Sequence, residues 1–224
     1  TFGSENGSYS TKELPTALER LEAAQVLYLS SPGPKMIWQF GELGYDISID
    51  ENGRTGRKPV KWDYLDDPNR SHVASTVATV NGLRKNYKDL NSLNYNLEGS
   101  GLAKNLTIDG EDIDFVILTN FGTDLAILEV EFPSTGTFYE YFSGKESEIS
   151  SGSQQFNLKP GEYRIYSSSP LQDPLDDGSG DNDKDGVPNT IDQCPNTPFG
   201  TEVNNEGCPV FVLPADNYTI ESLG

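Results

Sequence analysis

Residues 181–192, Asp-Asn-Asp-Lys-Asp-Gly-Val-Pro-Asn-Thr-Ile-Asp, set oxygen donors at the offsets that a hard divalent cation requires. Asp181, Asp183, Asp185, Asn189 and Asp192 occupy positions 1, 3, 5, 9 and 12 of the loop, and Val187 at position 7 offers its carbonyl. Ca2+ takes about six to eight such oxygens, and a glycine at the sixth position, here Gly186, lets the backbone turn sharply between them. An acidic linker of the same composition would not place the glycine and every donor in this register, so the segment reads as a Ca2+ site. Position 12 is Asp rather than Glu, and its arm is shorter by one methylene. No helical pattern brackets the loop, which argues against a conformational sensor.

The rest of the composition agrees with a cation-binding, non-nucleic-acid protein. Across 224 residues, 16 Lys and Arg face 35 Asp and Glu, a net charge of −19. Such a surface repels phosphate backbones and anionic lipid alike. Apolar residues make up 34% of the chain, sparse for one compact core, so long loops or linkers are expected. Two cysteines, Cys194 and Cys208, lie just behind the acidic loop; they read as a loop-closing disulfide in an oxidising compartment, with two free thiols as the alternative. No apolar stretch approaches the roughly 20 residues that span a bilayer. With neither an initiator Met nor a signal peptide, the chain is expected to be an internal piece of a longer polypeptide.

The elements that must position chemistry fall into two textures. A Gly/Ser-rich start (1–10) leads to a helix expected from Thr11 to Leu29, with Ser10 and Glu13 spaced as a capping box and Leu14, Leu18, Leu21 and Tyr28 as its apolar stripe. Ser31-Pro32-Gly33-Pro34 stops it, and Lys35–Phe40 reads as a buried strand. A long irregular loop (41–69) follows, then a helix from Arg70 to Asp89 carrying Val73, Val77, Val80, Leu83 and Tyr87 on one face. His72, the single histidine, reads as a surface residue of that helix.

After residue 92 short apolar runs recur at 106–108, 115–118, 125–130, 138–142, 156–158 and 163–166, separated by turn signals. This is the pattern of an antiparallel sandwich, expected to carry its own core. Residues 169–180 read as a Pro/Asp/Gly-rich linker, and 210–224 as the first strand of a further β-module.

Two resemblances attach to these segments. Residues 181–209 resemble a thrombospondin type 3 repeat, with the pattern DxDxDGxxNxxDxCP…GCP running from Asp181 to Pro209. The resemblance implies a calcium-ordered spacer between extracellular modules. Residues 32–46, PGPKMIWQFGELGYD, resemble the eighth-strand segment of the α-amylase family (glycoside hydrolase family 13), and Gly53–Trp62 looks like the loop that follows in bacterial cell-surface enzymes of the starch-utilisation type.

That likeness implies the last helix–strand–helix unit of a (β/α)8 barrel over residues 1–91, an all-β sandwich over 92–168, and then the irregular calcium repeat. It further implies an α-glucan-acting retaining glycosidase as the parent protein, at the bacterial cell surface or outside the cell. Glu42 would match the family's Glu at the end of strand eight, and Gly33 and Gly41 its glycines. Tyr45, Asp46, Arg54 and Arg57 are candidate sugar contacts, an aromatic face and charged groups for hydroxyls. The family's three catalytic carboxylates lie on earlier strands, and residues 1–9 contain only Glu5, so no catalytic residue is expected in this chain. A non-enzymatic adhesion or carbohydrate-binding protein, with the sandwich as binding module and the repeat as stalk, is the alternative.

Overall fold

The computed structural model describes residues 3–98, 100–150, 153–174, 181, 183, 185–194, 197 and 201–210. Its first element is a two-stranded hairpin, β1 (Glu5–Asn6) and β2 (Tyr9–Ser10), followed by helix α1 (Leu14–Ser30). The expected capping box does not form. Ser10 is drawn into the hairpin opposite Glu5 and donates its hydroxyl to that side chain at 3.3 Å, while Glu13 stands at the N-cap without a side-chain bond. Pro15 fits the first turn, where an N–H would lack a partner anyway. The buried stripe is also rotated from the expected one. It runs through Leu18, Glu22, Ala23, Val26 and Leu29, leaving Leu14 and Tyr28 about 40% exposed (39% and 41%).

Helix α2 (Pro68–Asn86) is properly capped, since the Asp67 carboxylate accepts from the amides of Asn69 (2.9 Å) and Arg70 (3.2 Å). Val73, Val77, Val80 and Leu83 are buried as the helical period requires, and Tyr87 packs against the same core just past the helix. Between the helices, Lys35–Phe40 is not a strand. Residues 34–38 run without ladder partners, because a parallel strand needs neighbouring edges and none among the described residues offers one. The Tyr28 hydroxyl holds this segment instead, accepting from the Met36 amide (2.9 Å) and donating to its carbonyl (3.1 Å).

Eight strands follow: β3 (Tyr95–Glu98), β4 (Ala103–Ile108), β5 (Phe115–Asn120), β6 (Ala126–Glu131), β7 (Gly136–Glu140), β8 (Glu146–Ile149), β9 (Ser153–Leu158) and β10 (Tyr163–Ser167). They make a six-stranded antiparallel sheet in the order β3-β4-β5-β10-β7-β8, with β6 and β9 paired as a separate two-stranded ribbon. Every residue of β5 is buried, and its alternation shows why. Phe115 and Ile117 face the helices, in one cluster with Val26, Leu29, Val77, Val80, Leu83, Leu106, Ile108 and Ile165. Val116 and Leu118 face the ribbon, with Val130, Phe138, Leu158 and Tyr166. The result is three layers: helices, six-stranded sheet, ribbon.

The core does not stop at the boundary expected near residue 92. The helix-facing cluster draws on both sides of it, so the sheet has no separate core on that face. Nor is the described part of the expected linker loose. Leu171 packs on the same cluster, and the Gln172 amide donates to the Tyr87 hydroxyl at 2.8 Å. Residues 175–180 and the expected strand at 211–224 lie outside the described residues. The described residues between 181 and 210 are irregular, with an antiparallel bridge between Val203 and Pro209 and a disulfide joining Cys194 to Cys208 across a Cα–Cα distance of 4.9 Å. Among the described residues, no helix is long and apolar enough to cross a membrane.

Candidate functional site

The acidic loop folds so that Asp181, Asp185 and Asp192 each spend one oxygen on a backbone amide, while Asp183 spends both, its second accepting from the Asp185 amide at 3.4 Å. Asp181 accepts from Gly186 (2.9 Å), Asp183 from Thr197 (2.6 Å), Asp185 from Val187 (2.8 Å) and Asp192 from Cys194 (2.8 Å). Gly186 allows the turn with φ +95°, a left-handed value that a side chain would disfavour. The other oxygens are left over. Asp181 Oδ1, Asp185 Oδ2 and Asp192 Oδ2 are buried and without a hydrogen-bond partner. Asp181, Asp183 and Asp185 each bring an oxygen within 4.8 Å of the others.

Buried, unpaired anionic oxygens are costly unless something of opposite charge joins them. Burial, together with the neighbouring carboxylates of Asp185 and Asp192, pushes Asp183 up to about 6, and burial raises Asp185 as well. The donor set fits a hard, oxygen-seeking divalent cation: carboxylates immobilised by amides, with free lone pairs converging. Val187 is buried and Asn189 exposed at the rim.

The disulfide loop is built against this cluster. Thr197, 3% exposed, donates its hydroxyl to the carbonyls of Cys194 (2.9 Å) and Gly207 (2.8 Å) while its amide serves Asp183. At Gly207, φ is +75° and an added Cβ would stand 2.0 Å from Asp192 Oδ1 and 3.0 Å from Asp185 Oδ2. Both carboxylates therefore press on the same glycine, a role that the sequence showed only as part of a Gly-Cys-Pro triplet.

The second candidate region, the loop between the helices, is held from inside. Arg70, 4% exposed, donates to the carbonyls of Leu43 (2.9 Å) and Gly44 (2.5 Å) and pairs with Asp46 at 2.9 Å, its guanidinium lying 3.9 Å from the centre of the Tyr64 ring. Tyr64 also donates its hydroxyl to Asp46. Burial works to raise Asp46, but the bonds from Tyr64 and Arg70 outweigh it and hold the carboxyl below its usual range. Burial and the Asp46 charge push the Tyr64 phenol up to about 12.

Tyr45 donates to the Pro59 carbonyl at 2.7 Å, its ring set against Trp38 and Phe40. Arg54 is exposed and 3.7 Å from Asp50, Arg57 is exposed, and Glu42 is half-buried on a short 3-10 turn (Gly41–Leu43). Of the five residues expected to contact sugar, Tyr45 and Asp46 are thus tied into the loop by hydrogen bonds, while Arg54 has only its exposed pairing with Asp50. Sequence reasoning missed Lys58, whose buried ammonium donates to the carbonyls of Ile49, Glu51 and Gly53 (2.6–2.7 Å) and closes the loop tip.

His72 is not the surface residue expected. It lies 3.5 Å from Glu22, a carboxyl buried between the helices that accepts from the Thr76 hydroxyl at 3.0 Å. Burial drives Glu22 up to about 8 and His72 down, so both shifts favour the neutral forms and the contact is not an ion pair near neutrality. Glu22 stands four residues from both Leu18 and Val26, a spacing that places it on the buried face.

No protein-family model matches the chain. A curated relative, the alpha-agarase of Thalassotalea agarivorans, is 34% identical over 85 residues, which is 37% of this chain and 6% of that protein. Among solved structures, AmyP in complex with maltose superposes with a TM-score of 0.59 at 14% identity, covering 73% of this chain and 37% of that one. The alpha-amylase of Geobacillus thermoleovorans complexed with acarbose gives 0.54 at 14%, covering 72% and 35%. At these identities the likeness is one of fold, and the chain spans little more than a third of each of these two structures and far less of the agarase.

Proposed function

We propose that the chain is the carboxyl-terminal part of an α-amylase family glycoside hydrolase acting on α-glucans, followed by a calcium-ordered spacer of the thrombospondin type 3 kind. One observation carries the reading. Between two helices packed side by side on an antiparallel sheet runs an extended, unpaired segment whose Met36 and Trp38 are 80% and 58% exposed while Ile37 packs inward. Alternation of this kind, with open backbone edges, is what a barrel strand shows when its neighbours are supplied by other residues. The fold likeness to starch-acting proteins supports the same assignment.

In this reading the chain's residues bind and shape rather than react. Glu42, Arg54 and Arg57 remain the groups on this unit offered to a glucan near the strand's end, while Tyr45 and Asp46 stiffen the loop that carries them. Asp181, Asp183, Asp185 and Asp192, with the Val187 carbonyl and Asn189, would hold Ca2+, which supplies charge neutralisation and cross-links the spacer. The setting is extracellular or on a bacterial cell surface, where both the disulfide and millimolar calcium persist, and the partners are adjoining modules of the same polypeptide. The purified chain should not hydrolyse maltoheptaose, and Ca2+ should protect residues 181–210 from proteolysis in a manner reversed by a chelator. Reducing-sugar release by the 224-residue chain would overturn the division of labour.

A further inference from the structure

The carboxylates of the acidic loop are not all aimed by the loop itself. Asp181 and Asp185 take their amides from Gly186 and Val187, inside the same turn. Asp183 and Asp192 depend on residues beyond it. The Thr197 amide donates to Asp183 Oδ2 at 2.6 Å, and the Cys194 amide to Asp192 Oδ1 at 2.8 Å. Both donors belong to the segment that the Cys194–Cys208 disulfide closes, and Thr197 is buried within it.

The described residues of that segment are braced against the cluster. Thr197 Oγ1 lies 2.9 Å from the Cys194 carbonyl and 2.8 Å from the Gly207 carbonyl, so it bridges the two ends of the segment beside the disulfide. Asn204 fixes the far cysteine, its Oδ1 accepting from the Cys208 amide at 3.0 Å and its own amide donating to the Cys208 carbonyl at 2.9 Å. Gly207, next to Cys208, backs directly onto Asp192 and Asp185. Carboxylates left to themselves repel and spread. Fixing them beforehand removes the ordering cost that a cation would otherwise meet, and the buried, unpartnered oxygens of Asp181, Asp185 and Asp192 are held ready for one. Opening the disulfide returns conformational freedom to Thr197 and Gly207. Asp183 and Asp192 then lose their fixed amides, and the wall behind the cluster gives way.

We propose that the disulfide and the calcium site form one redox-linked device: the Cys194–Cys208 bond tightens Ca2+ binding, bound Ca2+ resists reduction of the bond, and Thr197 is the positioning residue between them. The proposal rests on the calcium reading above. Reduction by a dithiol delivers two electrons and two protons, converts the bond to two thiols and leaves the reagent as its own disulfide. Binding and reduction thus close a thermodynamic cycle. The factor by which reduction weakens Ca2+ binding must equal the factor by which saturating Ca2+ disfavours reduction. For a two-electron couple each tenfold is about 30 mV. A spacer built this way is rigid only where calcium and oxidising conditions coincide.

The chain has two cysteines, so dithiothreitol acts on a single bond of the full-length protein. Ca2+ affinity is read by competition with a chelating dye for the oxidised chain, the reduced chain and C194S/C208S. The reduction midpoint of the parent is read in a dithiothreitol redox buffer with and without saturating Ca2+. Both the reduced chain and C194S/C208S should bind Ca2+ about tenfold or more weakly, and Ca2+ should move the midpoint to more negative potential by the matching amount. T197V keeps the amide and removes the hydroxyl. It should weaken Ca2+ binding in the oxidised chain and change it little in the reduced one, with T197S restoring the parent behaviour. Equal affinity in oxidised and reduced chains, with a midpoint indifferent to Ca2+, overturns the coupling and leaves the calcium reading standing. No Ca2+ binding by either form overturns both. An equal effect of T197V in the two forms would remove Thr197 from the link.

Discussion

Single atoms decide the two sharpest expectations. At Gly207, the space a methyl group would need is taken by Asp192 and Asp185, and the left-handed φ adds strain. G207A should therefore push those carboxylates out of the converging cluster and lower Ca2+ affinity by more than about tenfold, read by competition with a chelating dye; an unchanged affinity would show that Asp192 is not a ligand. At Glu22 the question is pH. Its folded carboxyl titrates near 8 against an ordinary value of 4.5, chiefly through burial. An acid with a raised pKa contributes its stability in full below the unfolded value and loses it as pH climbs through the folded one. Glu22→Gln cannot ionise, so urea midpoints of E22Q and the parent should coincide near pH 4.5 and separate toward pH 9 in favour of E22Q, by on the order of 3 kcal/mol. His72, whose own pKa burial lowers, and the nearby Glu19 share this pocket; parallel pH profiles for E22Q and the parent would mean that water or one of these neighbours already relieves the buried charge.

Among the elements, periodic segments were legible in the sequence and partnered ones were not. Both helices and strands β4, β5, β6 and β10 carry apolar runs, and they appear where those runs are. Strand β8, Glu-Ser-Glu-Ile, is polar at an edge and has no such run, and β3 is exposed throughout; each exists because a neighbour supplies the ladder. The converse is Lys35–Phe40, whose composition suits a strand but whose edges meet nothing in the described chain. The acidic loop was readable because ligand offsets are local, whereas Lys58 and Arg70 satisfy carbonyls brought near only by folding. Gly82 in α2 shows the same limit. By propensity, G82A should stabilise an exposed helix by about 1 kcal/mol. Here a Cβ would stand 2.4 Å from the Pro174 ring, which must move away together with the Tyr87–Gln172 bond. G82A is thus expected to lower the urea midpoint, by about 1 kcal/mol of stability, and P174A to restore part of it in the double variant; a simple gain in G82A would show that residues 171–174 contribute nothing.

For the whole molecule, the shared core makes helices and sheet one cooperative unit although their sequence textures differ. Leu106, Ile108, Phe115, Ile117 and Ile165 have essentially no exposure, and the layer covering them is Val26, Leu29, Val77, Val80 and Leu83. Stripping that layer would expose five large side chains at about 1.5–3 kcal/mol each, roughly 10 kcal/mol in all. A domain of this size holds only about 5–15 kcal/mol of net stability. Residues 92–174 expressed alone should therefore lack a sharp thermal transition and bind a hydrophobic dye, even though they contain every strand of the six-stranded sheet and the ribbon. Residues 3–174 should instead unfold in one step, with tryptophan fluorescence from Trp38 and Trp62 and far-ultraviolet dichroism from the sheet tracing the same curve. Two separated transitions, fluorescence first, would confine the cooperative unit to the helices and sheet and leave the 34–67 loop to open by itself. A native, cooperative 92–174 would instead restore the independent sandwich that the sequence suggested, and the helix-facing cluster would then be an interface rather than a core.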